Sequence, residues 1–177
     1  AKHQDYDGVF NATNEEHWNQ DIHDILEIGA NSVRLSHYQH PQEMYRLCDE
    51  QGLIVWAEIP MLKMTESEAL LENACSQLEE LILQNIHHPS ICIWGIQNEI
   101  AMFGENQGMY ERVKRLGDLA KQLDPSRISS CANLFCVKND SVLNKLTEAV
   151  GYNIYFGWYY GEMKDSEAFV EKFHEDN

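Results

Sequence analysis

Apolar segments of strand length alternate with helical segments along the whole 177-residue sequence. Parallel strands are joined by crossover helices that cover the sheet, so such strands appear as continuous apolar runs. The alternation therefore predicts an α/β fold with a parallel sheet covered by helices. Five strands are predicted, each after a helix, in the segments "ANSVRLS", "LIVWAEI", "ICIWGI", "RISSCA" and "AVGYNIY".

Start and stop signals place the helices between these strands. Thr13 and Glu16 have the spacing of a capping box, and Gly29 stands where the first helix should end. Pro41 opens a second helix that should end at Gly52. Further helices are predicted near residues 67–86, 110–123, 141–146 and 166–173.

Two α/β architectures compete for this pattern, the doubly wound sheet and the (β/α)8 TIM barrel. The doubly wound sheet commonly carries a glycine-rich phosphate loop, and neither G-x-G-x-x-G nor G-x-x-x-x-G-K-[ST] occurs in the sequence. The barrel is therefore preferred. Because a whole barrel typically needs about 250 residues, residues 1–177 are expected to form one domain with an incomplete barrel.

Polar residues cluster where the predicted strands end, which is the edge at which barrel enzymes place their active sites. Asn98 and Glu99 follow directly after the apolar run "ICIWGI". Apolar surroundings like Trp94 would raise the pKa of a carboxyl group there, which suits a general acid at neutral pH. Polar groups that only cap a strand are the structural alternative. The other residues at strand ends are Arg34, Ser36, His37, Glu58, Asn133, Asn153 and Tyr155.

Three separated motifs make the sequence resemble the catalytic barrel of glycoside hydrolase family two, which contains β-galactosidases and β-glucuronidases. They occur in the order and spacing of that family over nearly the whole chain. The resemblance implies that the five strands are strands two to six of the barrel. The motifs are "ANSVRLSHYQHPQEMYRLCDEQGLIVWAEIP", "NIHHPSICIWGIQNE" and "GYNIYFGWYYG".

The resemblance implies a retaining glycosidase acting on a carbohydrate substrate. The preferred interpretation is a β-galactosidase that hydrolyses terminal β-galactosides, with a β-glucuronidase or a non-catalytic carbohydrate-binding fragment as alternatives. Glu99 would be the general acid/base, and Asn98 would contact the sugar 2-hydroxyl. Arg34 would lie beneath the site and pair with the catalytic carboxylates, although a purely structural ion pair with Glu58 is also compatible with the sequence.

Other residues receive substrate-binding roles by the same resemblance. His37 matches a sugar-contacting histidine, and His40 is a further candidate. Tyr155 matches a tyrosine near the nucleophile, and Trp158 follows it in an aromatic loop suited to stacking on a sugar face. His87 and His88 precede the third strand, at the end of the sheet opposite the predicted active site, and are not expected to be ligands.

The second carboxylate of the mechanism has no match in this sequence. A retaining glycosidase needs a nucleophile about 5 to 5.5 Å from the acid/base. In the family this is a glutamate at the end of the seventh strand, and the chain stops at "FHEDN" before such a strand. Neither Glu58 nor Glu162 matches the motif, so the chain alone is expected to be inactive.

The charge and the apolar segments of the sequence limit the classes of partner that the protein can bind. The formal net charge of −16 argues against nucleic acid and anionic membrane, and no apolar run approaches the roughly 20 residues of a membrane span. No metal or cofactor is expected, although some β-galactosidases of the family use Mg²⁺ and Na⁺ near the acid/base. The resemblance implies a homo-oligomer. Five cysteines without a Cys-x-x-Cys pair are predicted to be reduced core residues, which favours the cytoplasm.

Overall fold

The computed structural model describes residues 1–176 and contains one parallel sheet in which five strands follow one another in sequence order. The strands are β1 (Ser32–Leu35), β2 (Ile54–Glu58), β3 (Ile91–Asn98), β4 (Ile128–Leu134) and β5 (Ala149–Asn153). The helices are α1 (Glu15–Glu27), α2 (Gln42–Gln51), α3 (Glu68–Asn85), α4 (Gln107–Leu123) and α5 (Asp165–Asp176). Short 3₁₀ helices span Ile100–Phe103 and Val142–Lys145. The sheet is a half-barrel with helices, so the predicted incomplete α/β TIM barrel is confirmed.

The two faces of the sheet have different chemistry. The outer face packs against the helices and supplies much of the hydrophobic core, including Leu35, Val55 and Trp94. Alternation along each strand sends the intervening residues to the inner face. That inner face carries Arg34 and Glu58, so the charged residues of the strands lie on the side that a complete barrel encloses.

The first helix is capped one residue later than its sequence predicts. Asn14 is the N-cap of α1, and its Oδ1 accepts hydrogen bonds from the backbone N–H groups of Glu16 and His17. His17 Nδ1 in turn accepts from the Asn14 N–H at 3.1 Å. The predicted Thr13–Glu16 capping box is wrong because the Thr13 hydroxyl accepts from the indole N–H of Trp18 instead. The predicted helix ends at Gly29 and Gly52 are within two residues of the observed ones.

The five cysteines are all free, as predicted. Cys48 and Cys131 are buried and two others are half-buried, but Cys136 is exposed. The prediction that all five belong to the core is therefore wrong for Cys136, which lies in the turn after β4 rather than in a strand or helix. Across residues 1–176, no helix has the length and apolar character to cross a bilayer.

A buried ion pair closes the amino end of β3 and β4. Asp124 Oδ2 accepts from the indole N–H of Trp94 at 2.9 Å and from Arg127 Nη1 at 2.7 Å. Burial raises the pKa of the Asp124 carboxyl group, but the hydrogen bonds from Ser126, Arg127 and Trp94 outweigh burial and hold that pKa well below its usual range. The folded state therefore favours the ionised carboxylate.

We expect the Asp124→Asn variant to show a shallower loss of stability in acid. A carboxyl group with a depressed folded pKa contributes stability that is complete above its unfolded pKa of about 3.9 and is lost as pH falls toward the folded value. Urea unfolding between pH 2.5 and 7 measures this: the variant should be less stable at neutral pH, and its disadvantage should shrink below pH 4. A disadvantage that is constant over this range would contradict the prediction.

Candidate active site

Arg34 lies at the centre of a polar cluster formed where the strands end. Its Nε donates to Glu58 Oε2 at 2.7 Å, and its Nη2 donates to Glu58 Oε1 at 2.9 Å. Nη2 also donates to Asn98 Oδ1 at 2.8 Å, and Nη1 donates to Asn153 Oδ1 at 3.0 Å. One arginine thus links the carboxyl ends of β1, β2, β3 and β5, and the bidentate pair with Glu58 fixes its orientation.

Glu58 is the buried anion of this cluster, with 0% of its surface exposed. Nδ1 of His37 lies 2.6 Å from Glu58 Oε1. Because a carboxylate only accepts hydrogen bonds, Nδ1 carries the hydrogen, and its 3.3 Å contact with Arg34 Nη2 joins two donors. In the neutral ring, Nε2 of His37 is then an acceptor that can take a hydrogen bond from a hydroxyl group.

A β-bulge at the end of β3 turns Asn98 to the inner face. Between Gly95 and Asn98 the register with β4 shifts. The shift reverses the alternation of side chains, so Asn98 rather than Gln97 faces Arg34. Asn98 Oδ1 accepts from Arg34 and, at 2.9 Å, from Asn153 Nδ2. These two donors fix which end of the Asn98 amide faces the cluster.

Glu99 follows the bulge in a left-handed backbone conformation, with φ 54° and ψ 26°. Such a conformation costs a residue other than glycine on the order of 1–3 kcal/mol and is maintained by surrounding contacts. The Glu99 N–H donates to the Ala132 carbonyl oxygen at 2.8 Å, and Glu99 Oε1 accepts from Asn153 Nδ2 at 2.7 Å. Contacts to β4 and β5 therefore hold a half-buried carboxyl group at the strand ends.

Trp56 forms the floor of the cluster on the inner face of β2. The Cζ atom of Arg34 lies 5.1 Å from the centre of the Trp56 ring, a cation–π distance. The ring needs a close backbone approach from β3, because a Cβ atom on Gly95 would lie 2.2 Å from Trp56 Nε1 and 2.5 Å from Glu58 Cβ. Gly95 is therefore required by space.

We expect Gly95→Ala to destabilise the protein by about 1–3 kcal/mol, the usual cost of overpacking, because the new methyl group must displace Trp56 or Glu58. Gly108→Ala is the matched control: Gly108 lies in α4, and a Cβ atom there would meet only Asn106 Oδ1, at 3.4 Å. Urea unfolding should give Gly108→Ala at least the original stability. Equal stability of the two variants would contradict the crowding seen at Gly95.

The aromatic loop after β5 lies at the rim of the cluster. Burial, followed by the negative charge of Glu99, raises the pKa of the Tyr155 hydroxyl group. The Tyr155 ring packs edge-on against Tyr159 with centroids 5.2 Å apart. Trp158 is 78% exposed and contacts the ring of Tyr159, without a contact to the polar cluster. Trp158 therefore offers an open ring face at the rim, and its sugar-binding role stays a prediction.

Two expectations about residues near the candidate site are wrong. Trp94 faces the helices, where its indole binds Asp124 at the far end of the strand, so it does not form an apolar wall around Glu99. His40 is buried, its Nε2 lies 3.0 Å from the Ser36 carbonyl oxygen, and burial lowers its pKa to about 4. His40 is therefore a packed neutral histidine that a substrate does not reach.

Asn133 lies near the end of its strand, one residue before Leu134, but faces the helices. It accepts from Gln97 Nε2 at 2.7 Å and donates to Asn144 Oδ1 at 2.9 Å. Gln97 is a residue that sequence patterns misplace, because by strict alternation from the inward-facing Gly95 it would point into the barrel. Only the register shift in β3 shows that it does not. His88 lies at the opposite end of the sheet and binds Asp49 at 2.6 Å, consistent with a structural role.

The carboxylate oxygens of Glu58 are already occupied by hydrogen-bond donors. Both carboxylate oxygens of Glu58 already accept from the cationic Arg34, and one also contacts His37, so a cation would compete with these donors. Among residues 1–176, the group of possible ligands close enough to share an ion is His23, Asp24 and Glu27, which is exposed on α1. Exposed groups of this kind are common without any ion.

Comparison with known proteins gives this cluster a family context. The sequence profile described as "Glycosyl hydrolases family 2, TIM barrel domain" matches residues 1–177. The chain belongs to this family. A β-glucuronidase of Bacteroides fragilis is 38% identical to it over 98% of the chain, which is 25% of that protein's length. The predicted membership of glycoside hydrolase family two is confirmed.

Solved structures share the fold closely. An FMN-binding β-glucuronidase from Facaelibacterium prausnitzii L2-6 superposes with a TM-score of 0.95 at 40% identity, covering 99% of this chain and 28% of that one. A candidate β-galactosidase from Bacteroides fragilis superposes with a TM-score of 0.90 at 39% identity, covering 99% and 25%. The chain thus spans about a quarter of the length of these glycoside hydrolases.

Proposed function

We propose that this chain is the acid/base-bearing part of the catalytic barrel of a retaining β-glucuronidase. The observation that carries the proposal is the contact of Glu99 with Asn153, within a cluster organised by Arg34. Glu99 is the one carboxyl group of this cluster that is half-buried rather than fully buried. Glu58 is fully engaged by Arg34 and His37, which leaves Glu99 to meet the substrate.

Glu99 serves the reaction twice in the proposed mechanism. In the first step its carboxyl group donates a proton to the glycosidic oxygen, while a nucleophilic carboxylate from outside this chain forms a bond to the anomeric carbon and the leaving group departs. In the second step the Glu99 carboxylate removes a proton from water, whose oxygen displaces the nucleophile. Asn98 binds the sugar 2-hydroxyl, and Nε2 of His37 accepts from a second hydroxyl.

The choice of sugar is supported by the relatives rather than by the cluster. Eight curated relatives carry the name β-glucuronidase, one of them provisionally, which supports the glucuronide over the galactoside that the sequence motifs suggested. β-Galactosidase is the second candidate, supported by the Bacteroides fragilis structure at 39% identity.

Self-association into a homo-oligomer is part of the proposal and is measurable by light scattering.

Hydrolysis by the full-length protein of 4-nitrophenyl β-D-glucuronide, galactoside and galacturonide tests the proposal. We expect the highest kcat/KM with the glucuronide, and a β-configured sugar as first product by NMR. A preference for the galactoside would establish the second candidate. Binding of these sugars without turnover would show that the protein is a carbohydrate-binding protein and not an enzyme.

A further inference from the structure

A chain of hydrogen bonds, fully buried at its Gln97–Asn133 contact and partly buried beyond it, runs behind the candidate site on the helix-facing side of the sheet. Gln97 Nε2 donates to Asn133 Oδ1 at 2.7 Å, and Asn133 Nδ2 donates to Asn144 Oδ1 at 2.9 Å. Tyr152 Oη donates to the same Asn144 oxygen at 3.0 Å. We call these four residues the outer amide chain; its members are Gln97 on β3, Asn133 on β4, Asn144 in a 3₁₀ helix and Tyr152 on β5.

Both ends of the outer amide chain are sequence neighbours of site residues. Gln97 precedes Asn98 and Glu99, and Tyr152 precedes Asn153, which holds Glu99 Oε1 at 2.7 Å. The outer amide chain therefore connects the segment that carries Glu99 with the segment that carries Asn153, its hydrogen-bond donor. The connection passes through β4, the strand between them.

Gln97 also supports the turn that contains Glu99. Its Oε1 accepts from the Ile100 N–H at 3.4 Å, at the start of the 3₁₀ helix that follows Glu99. The register shift removes regular ladder pairing at this point of β3. The side-chain bond from Gln97 to Asn133 therefore bridges β3 and β4 where the backbone ladder is irregular.

Burial makes these contacts costly to lose. Gln97 is 0% exposed and Asn133 is 1% exposed. A buried amide left without its partner costs about 1–3 kcal/mol, whereas a satisfied polar network defines one arrangement of the segments it joins. An apolar pair of the same size would fill this space without fixing the direction of either strand end.

We propose that Gln97 is a positioning residue, which holds Glu99 in its left-handed conformation against Asn153 through the outer amide chain. The inference rests on the proposed function, since it concerns how well Glu99 transfers a proton. It predicts a defect in the two proton transfers assigned to Glu99, with folding and sugar binding largely retained.

The Gln97→Met variant of the full-length protein tests this, because methionine keeps the side-chain length and loses both polar atoms. With aryl glycosides of the sugar that the unsubstituted protein hydrolyses, we expect kcat/KM to fall about 10²-fold for a phenyl leaving group, as for a misplaced catalytic group. The 2,4-dinitrophenyl substrate should keep its kcat/KM, because this constant reports the first step and that leaving group needs no proton, while its kcat falls with the base-assisted second step. An equal fall in kcat/KM for both leaving groups would overturn the proposal.

Asn85→Leu is the matched control. Asn85 is 0% exposed and accepts from Gln42 Nε2 at 2.7 Å, so a buried amide makes a contact as short as that of Gln97 at the opposite end of the sheet. This variant should lose stability with no change in the ratio of the two kcat/KM values. A changed ratio in Asn85→Leu would mean that any buried amide affects the acid, and would also overturn the proposal.

Hydrogen–deuterium exchange separates this inference from the proposed function. Gln97→Met should exchange the amides of residues 98–103 about tenfold faster, the effect of one lost buried hydrogen bond, and Asn85→Leu should not. Failure of the unsubstituted protein to hydrolyse any aryl glycoside would remove the proposed function, and exchange alone would then decide positioning. Unchanged exchange of these amides in Gln97→Met would overturn the positioning role of Gln97.

Discussion

The Glu99→Ala variant of the full-length protein should lose about 10²- to 10⁴-fold in kcat/KM with phenyl glycosides, the usual contribution of general acid–base catalysis. With 2,4-dinitrophenyl glycosides the first step should be nearly unaffected, because this leaving group departs as the anion without a proton. The glycosyl–enzyme intermediate then accumulates, since no base activates water. Added azide should restore turnover, because a small anion attacks the intermediate without a base.

Glu162→Ala is the control for this experiment. Glu162 lies beyond the aromatic loop with a side chain that is 71% exposed, and it pairs with Lys164 at the surface. Its removal should leave the rates for all leaving groups unchanged and should give no response to azide. A loss in Glu99→Ala that is the same for every leaving group, with no azide effect, would remove Glu99 from the acid/base role.

The Arg34→Met variant should lose both stability and activity. Glu58 has no exposed surface, and removing one partner of a buried ion pair costs about 3–5 kcal/mol. Asn98 and Asn153 lose the donor that orients them, so the folded molecules that remain should have a much lower kcat. Urea unfolding and active-site titration with a mechanism-based inhibitor measure the two effects separately.

Arg127→Met separates a site effect from a general one. Arg127 pairs at 2.7 Å with Asp124, whose side chain is 2% exposed, so the two ion pairs are similarly buried and lie at opposite ends of the sheet. Arg127→Met should be destabilised to a similar extent and keep the catalytic constants of its folded fraction. If Arg34→Met also kept them, the arginine would be a structural residue and the network around it would have no catalytic role.

Removing both charges of the site pair gives a further test. Replacing a buried ion pair by apolar residues of similar size is often neutral for stability. The double variant Arg34→Met with Glu58→Leu should therefore regain stability relative to Arg34→Met, without regaining activity. Recovery of activity would show that catalysis needs only a packed floor beneath Glu99.

Local sequence patterns determined the fold class and the strand ends. The spacing of apolar residues and the glycines after α1 and α2 depend on interactions within a few residues, so the sequence predicted five strands and the helices between them. The position of Asn98 and Glu99 after an apolar run placed them at the edge where a barrel binds its substrate. The three sequence motifs indicated membership of glycoside hydrolase family two, which the matching profile confirms.

Tertiary structure decided which residues meet and which face each side chain takes. The contact between Asn153 and Glu99 joins residues 54 positions apart, and hydrophobic spacing carries no information about such a pair. The bulge in β3 reversed the alternation, so Gln97 turned to the helices and Asn98 to Arg34. A bulge arises from the pairing of two strands, and that pairing exists only in the folded sheet.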